Sequence, residues 1–343
     1  MEYTSSNFVS NNYNVGIYAG SFNPLHEGHL ECIKKASSIC NKLYVILSVG
    51  YKQNEIDVLI RYRWLYQSTV DMKNVEIMIL NAHGQDEDVL TVKSYIKENI
   101  DVVFCGNDYG KDSLWNKCYP ESEIYYFERS GISSTLIRSN PYEYWDFIPN
   151  VVRPYYVKKV LIVGGVSTGK STLAKLLADY FTTNYIEEAG RELSKLSGTH
   201  TKMLQDDYIE ILLTHKLNEI KSIQQSNRVL FEDTDALTTL FYMNLLKNAD
   251  NGKKQLAEAI ALNNEFDMVL FLEPDVEFIQ DGDRNLTISK ERLKYSEELK
   301  EYYKRYCNVV SINGNYQERF KKAVEIVSDL INYKVTESNQ EMK

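Results

Sequence analysis

A chain of 343 residues has room for about two domains of ordinary size, and its 43% hydrophobic and 25% charged residues are those of a globular protein. The formal net charge of −9 excludes a generic grip on DNA or RNA, which needs a basic face to displace counterions. It leaves room for a local basic pocket around an anionic nucleotide. The five cysteines, Cys32, Cys40, Cys105, Cys118 and Cys307, are odd in number and contain no CxxC, which points to reduced thiols in a cytoplasmic protein rather than to a disulfide frame or a zinc site. The first residues show neither a basic nor an apolar leader pattern, and no apolar run approaches the length of a bilayer span, so no membrane partner is expected.

Along the chain, residues 1–14 are polar and rich in Ser and Asn, and read as a flexible N-terminus. Short apolar runs then alternate with helical patterns. Val15–Ala19, Leu43–Val49, Val75–Leu80, Val102–Cys105 and Ile124–Phe127 read as strands; Leu30–Ile39, Leu59–Val70 and Val89–Glu98 read as helices. Residues 15–150 therefore form one α/β domain, with βαβ units and a parallel, Rossmann-like sheet. Residues 151–157, with two prolines in the surrounding Ile148–Tyr156, read as a linker. A second α/β domain, 158–335, shows strands at Val160–Val163, Arg228–Phe231, Met268–Leu272 and Asn308–Ile312. Its helices are expected over Ser171–Phe181, Met203–Gln225, Ala236–Lys247, Lys253–Asn263, Ser289–Tyr306 and Gln317–Ile331. Residues 336–343 read as a frayed tail.

The turn from Gly20 to His29, GSFNPLHEGH, follows the first strand directly and opens the first helix. In an open parallel sheet ligands bind there, outside the carboxyl ends of the strands. Gly20 permits close backbone approach, and the helix start aims N–H groups at the same spot. His26 and His29, three apart, share one face of a helical turn, where two imidazoles can hydrogen-bond a triphosphate and stabilise charge on departing pyrophosphate. A turn with two incidental histidines is the bland alternative. Against it, two of only five histidines fall in this turn, and a second polar cluster, Ile132–Arg138, follows the last strand of the same domain. Ser133 or Ser134 can cap a helix there, and Arg138 adds a fork for a phosphate.

In the second domain, Gly164–Ser171 reads GGVSTGKS and fits G-x-x-x-x-G-K-[ST] between a strand and a helix, the context this phosphate-binding loop requires. Its backbone N–H groups would wrap the phosphates of ATP, Lys170 would reach the β- and γ-phosphates, and Ser171 would ligate Mg²⁺. Glu232-Asp233-Thr234-Asp235 ends the next long strand, where one carboxylate can hold Mg²⁺ and another can orient or deprotonate an acceptor hydroxyl. Glu187–Glu192, EEAGRE, falls where small P-loop kinases place carboxylates toward their substrate, and Asp281–Arg284 reads as a lid that brings Arg284 onto the transferring phosphate. The kinase base stays open among Glu188, Asp233 and Asp235.

The H-x-G-H and I-S-x-T-x-x-R signatures, in this order in one domain, resemble the nucleotidyltransferase superfamily. Over roughly residues 15–332 the chain resembles the NadR-type bifunctional family, a nicotinamide-nucleotide adenylyltransferase fused to a ribosylnicotinamide kinase. GSFNPLHEGH, RYRWLYQS, NPYEYWDFIPNVVRPYY, EEAGRE, EDTDALTT and FLEPDVEFIQDGDR carry the likeness. The resemblance implies phosphorylation of ribosylnicotinamide to nicotinamide mononucleotide (NMN), then adenylyl transfer from ATP to give NAD and pyrophosphate. It implies His26 and His29 acting on ATP in the first site, with Gly20, Phe22, Ser133, Ser134, Thr135 and Arg138 around it and Arg61 in support. In the second site it implies Gly164, Ser167, Thr168, Gly169, Lys170, Ser171, Thr172 and Arg284 on ATP. Asp233, Asp235, Glu188 and Arg191 would then serve the acceptor, with Ser171 and Asp233 on Mg²⁺. Some members carry a DNA-binding domain before the transferase; only about fourteen residues precede the first strand here, so no nucleic-acid partner is expected. Some carry a Trp where this sequence has Glu187, so a ring that could stack on nicotinamide is missing at that place. Another phosphorylated acceptor, the acid form of the pyridine, a nucleotide sensor with one inactive site, and a homo-oligomer all stay open at this stage.

Overall fold

In the computed structural model of the chain, described residues are 13–50, 55–106, 114–128, 131–190, 193, 204–279 and 290–332. The chain divides into two units between Val152 and Arg153. The first runs β1 (Tyr13–Gly20), α1 (Glu27–Ile39), β2 (Cys40–Val49), α2 (Val58–Thr69), β3 (Val75–Asn81), α3 (Gln85–Tyr95), β4 (Val102–Gly106), α4 (Leu114–Cys118), β5 (Glu123–Phe127) and α5 (Ser134–Ser139). All its strand pairs are parallel, in the order β3-β2-β1-β4-β5. Strand order reverses between β1 and β4, which opens a crevice at the carboxyl end of β1, where Gly20 leads into the turn. Gly16 lets the central strands close up, since a Cβ there would stand 2.7 Å from both Cys40 Sγ and the Phe104 ring.

The second unit runs β6 (Lys158–Gly164), α6 (Lys170–Phe181), β7 (Tyr185–Ile186), α7 (Asp207–Ser222), β8 (Val229–Asp233), α8 (Ala236–Leu246), α9 (Asn251–Leu262), β9 (Met268–Leu272), α10 (Arg292–Tyr303), β10 (Val310–Ile312) and α11 (Tyr316–Leu330). Its parallel sheet is ordered β10-β9-β6-β8-β7. Both sheets are covered on two faces, so their central strands are continuous apolar runs; Val160, Leu161, Ile162 and Val163 are all fully buried.

The structure departs from the sequence pattern at the edges of elements. β1 and β2 begin earlier, at Tyr13 and Cys40, because Asn14, Asn41 and Lys42 occupy ladder positions that face water or partners. The third helix starts at Gln85 and ends at Tyr95 rather than spanning Val89–Glu98. Its first turn is acidic, suited to a helix N-terminus, and Asp88 Oδ1 accepts the His83 N–H at 2.8 Å. The helices expected from Met203 and Ser289 are described from Asp207 and Arg292, with those two first residues outside the described set. Most of residues 1–14, and all of 336–343, also lie outside it.

Two neighbouring buried carboxylates, Glu232 on β8 and Glu219 on α7, are shifted in opposite directions. Glu232 is fully buried and neither of its oxygens has a hydrogen-bond partner among the described residues. Burial pushes its carboxyl up to about 8, Glu219 adds to this, and Lys159 opposes it. Glu219 on α7 shows the opposite balance. Burial alone would raise it, but Lys216 and Lys159, 2.6 and 3.0 Å away, hold its carboxyl below the ordinary value. Because the Glu232 proton is held more tightly when folded than when unfolded, its contribution to stability is complete below the ordinary carboxylate range. It is lost as pH rises toward about 8. Glu232→Gln is therefore expected to flatten the decline in melting temperature between pH 5 and pH 9. Where the folded chain holds that one extra proton, stability falls by about 1.4 kcal/mol for each step of one in pH. Parallel slopes for the two proteins would contradict this.

Candidate active sites

In the first unit the Gly20–His29 turn is tied down from three directions. The Arg61 guanidinium from α2, only 1% exposed, donates to the carbonyls of Ser21 (2.7 Å) and Ser48 (3.4 Å) and meets Glu55 at 3.3 Å. Burial lowers its pKa, against the pull of Glu55. Asn23 accepts the Ile56 N–H at 3.1 Å. From α5, Ser134 Oγ donates to Pro24 O at 2.9 Å, and Arg138 donates to Asn23 O and, at 3.3 Å, to Thr135 Oγ1. Two motifs more than a hundred residues apart thus form one constellation. Ser133 caps α5 through the Leu136 N–H. Arg61 reaches the turn by its backbone carbonyls, so its place in the structure is that of a clamp.

His26 is the N-cap of α1, and His29 Nδ1 accepts the His26 N–H at 3.3 Å. The two rings stack with centroids 3.6 Å apart, and Phe22 meets His29 edge-on at 5.0 Å. With Nδ1 accepting, a neutral His29 carries its proton on Nε2, ready to donate. Phe22 is buried with φ of 45°, packed against the position of Gly20.

In the second unit β6 leads into the Gly164–Ser171 loop, and Gly169 adopts φ of 86°, with the Tyr316 ring 2.8 Å from where a Cβ would lie. A side chain at 169 would meet both penalties. Lys170 Nζ lies 3.2 Å from each of Gly164 O and Gly165 O. Because β6 pairs directly with β8, Asp233 at the end of β8 reaches Ser171 Oγ, which donates to it. Thr168 is fully buried and donates to Gly165 O at 2.9 Å; Ser167 Oγ accepts the Ile279 N–H at 2.9 Å.

Beside the loop lies a cavity of about 450 Å³ lined, among the described residues, by Ser171, Thr172, Lys175, Leu176, Asp179, Tyr185, Glu187, Glu188 and Asp233. Glu188 and Asp233 thus share one cavity with Ser171 and Thr172. Asp235 is not among these residues. It caps α8 through the Thr238 N–H at 3.3 Å and accepts the Tyr303 hydroxyl, with burial holding its carboxyl above the usual value. Its geometry is that of a structural cap in a buried network. Arg191 and Arg284 lie outside the described residues.

Sequence reasoning missed two arginines that shape the loop. Arg319 on α11, 1% exposed, donates to Thr168 O (2.6 Å), Glu273 O (2.6 Å) and Gly314 O (2.7 Å) and pairs with Asp275. Arg292 donates to Ser167 O (3.2 Å) and Val276 O (3.0 Å). A signal for Arg319 was present: with Ala323 and Val327 it occupies the i, i+4, i+8 apolar face of its helix. Arg319→Met strands three carbonyls and is expected to cost about 2–4 kcal/mol, lowering the melting temperature of the second unit and weakening binding of an ATP analogue. An unshifted melting curve would overturn that role.

Ser171 and Asp233 offer a hydroxyl and a carboxylate, the hard oxygen donors that suit Mg²⁺, which takes few protein ligands. Among the described residues no group of three or more His, Cys, Asp or Glu is placed to hold a metal ion, and no helix is long and apolar enough to cross a membrane.

Comparison with known proteins follows the same division. The cytidylyltransferase-like family model matches residues 17–140, and the AAA domain model matches residues 159–319. The trifunctional NAD biosynthesis/regulator protein NadR of Salmonella typhimurium is 30% identical, over 93% of this chain and 83% of that protein. The chain belongs to the NadR family. A crystal structure of NadR protein in complex with NR resembles it with a TM-score of 0.79 and 25% identity, over 95% of this chain and 98% of that one. The first unit alone is also similar to the phosphopantetheine adenylyltransferase of Mycoplasma capricolum, at 32% identity over 32% of this chain and 97% of that protein. Both parallel-sheet units of this NadR-family chain thus have counterparts among nucleotide enzymes.

Proposed function

We propose that this chain carries out two consecutive ATP-dependent steps of NAD synthesis. The second domain phosphorylates the 5′-hydroxyl of ribosylnicotinamide to give NMN. The first domain joins NMN to the AMP part of ATP, releasing pyrophosphate. The observation that carries this reading is the likeness to NadR proteins along nearly the whole chain, with a turn suited to a phosphate after the central strand of each sheet.

In the kinase step the loop N–H groups and Lys170 neutralise the polyphosphate. The acceptor occupies the cavity beside Ser171, and its 5′-oxygen bonds to the γ-phosphorus as the bond to the β-bridging oxygen breaks. Glu188 or Asp233, both on the cavity wall, takes the hydroxyl proton, and ADP leaves. Ser171 and Asp233 are the residues that would hold Mg²⁺, whose charge would offset that of the phosphates. In the transferase step a phosphate oxygen of NMN attacks the α-phosphorus of ATP in line, and the bond to the β-phosphate breaks. No covalent enzyme intermediate is required. His26 and His29 donate to the developing charge, and Arg138, Ser133 and Thr135 hold the phosphates.

Purified protein supplied with ribosylnicotinamide, ATP and Mg²⁺ should yield ADP, NMN, NAD and pyrophosphate; absence of NMN and NAD alike would refute the assignment. A second reading of the first domain, adenylyl transfer to phosphopantetheine, is favoured by its likeness to that enzyme. Competition between NMN and phosphopantetheine in the same assay separates the two.

A further inference from the structure

The sequence places Glu187 where a stacking ring is absent, yet the cavity beside the P-loop is not without an aromatic. Tyr185, on β7, lines it, and its hydroxyl donates to Glu187 Oε1 at 2.7 Å. The pair therefore stands as a unit, a ring anchored to a carboxylate, on a cavity wall that also holds the α6 residues Lys175 and Asp179. Setting aside Asp233, which faces Ser171, the described wall carries the carboxylates of Asp179, Glu187 and Glu188 against the single ammonium of Lys175, three negative groups to one positive. The same field raises the Tyr185 hydroxyl pKa to about 12, through its hydrogen bond to Glu187 first, then burial and the charges of Glu187, Asp179 and Asp233.

A cavity of that sign repels a further anion and attracts a cation. The acceptor of the proposed kinase step is a nucleoside whose base is a pyridinium, positively charged on the ring nitrogen. We infer that Tyr185 and Glu187 together recognise the pyridinium charge of the acceptor, the ring by cation–π contact and the carboxylate as counter-charge, and so set the kinase's preference for a cationic base. This rests on the acceptor assignment above and adds to it the residues that read the base. Tyr185 and Glu187 act on binding and take no part in the proton or phosphoryl transfer, so their contribution falls on KM more than on kcat.

The test compares two acceptors of nearly the same outline: the oxidised pyridinium nucleoside, a cation, and its dihydropyridine form, which is neutral. The wild-type protein is expected to show a higher kcat/KM for the cation. Glu187→Gln and Tyr185→Leu should each reduce that ratio by roughly five- to tenfold, mostly through KM for the cation, while Tyr185→Phe, which keeps the ring, retains more of it than Tyr185→Leu. Thermal unfolding checks that each variant is folded. Equal use of both nucleosides by the wild type, or a ratio unmoved by Glu187→Gln and Tyr185→Leu, overturns the inference and leaves the kinase assignment standing. If neither nucleoside is phosphorylated, the kinase assignment itself falls and takes the inference with it.

Discussion

Lys170→Ala is expected to reduce phosphorylation of ribosylnicotinamide by roughly two to three orders of magnitude while conversion of added NMN to NAD continues. The reason lies in what surrounds the side chain. Its ammonium sits within 3.2 Å of two loop carbonyls, Gly164 O and Gly165 O, so the loop presents it as a fixed positive centre among backbone dipoles. A charge already positioned costs no reorganisation when negative charge shifts onto the leaving phosphate. Lys170→Arg should not restore the rate. A planar guanidinium cannot replace a compact ammonium in a site built of main chain. Separate readings of ADP release and NAD formation check the result; equal loss of both activities would contradict two independent sites.

His29→Ala is expected to produce the reverse pattern, with NMN accumulating and NAD formation falling by roughly 10²- to 10³-fold. Three contacts disappear together: the acceptor for the His26 N–H, the stacking partner of the His26 ring, and the edge contact with Phe22. The cap is worth about 1 kcal/mol of stability, too little to account for the rate loss. His29→Asn separates the effects. Its side-chain oxygen can accept the His26 N–H, so the melting temperature should recover, but it lacks the imidazole donor and the rate should not. Recovery of rate with Asn would assign His29 to helix capping alone.

The pattern of legible and illegible features has a physical logic. Strands of a sheet covered on both faces are uninterrupted apolar runs, so Val160–Val163 and Val102–Cys105 were plain in the sequence. Their first residues were not, because Tyr13 and Cys40 precede polar positions that interrupt the run. The start of α3 carries acidic residues rather than an apolar period, and β7, two residues long, has no period to detect. The two turns that follow β1 and β6 were readable as candidate sites because their glycine, histidine and lysine pattern is written in the sequence itself. The clamps on them were not: Arg61 and Arg138 stood out in the sequence as site residues rather than as clamps, and Arg292 and Arg319 did not stand out at all. Arg61, Arg138, Arg292 and Arg319 all grip main-chain carbonyls, and any residue can supply a carbonyl, so the partner leaves no mark in the sequence. Asp235 shows the converse. A carboxylate two residues beyond Asp233 reads as a second catalytic acid, while its geometry is that of a helix cap bound to Tyr303.

The grip of Arg319 on Thr168 joins residues 151 positions apart. During synthesis domains fold largely in order of emergence from the ribosome. All of the elements described for the first domain precede residue 153, whereas the Gly164–Ser171 loop of the second must wait for an arginine near the far end of that domain before the Thr168 carbonyl is held. A nascent chain can thus present a finished adenylyltransferase fold while its kinase loop is still unbraced, and the two activities are expected to mature at different moments on the same polypeptide.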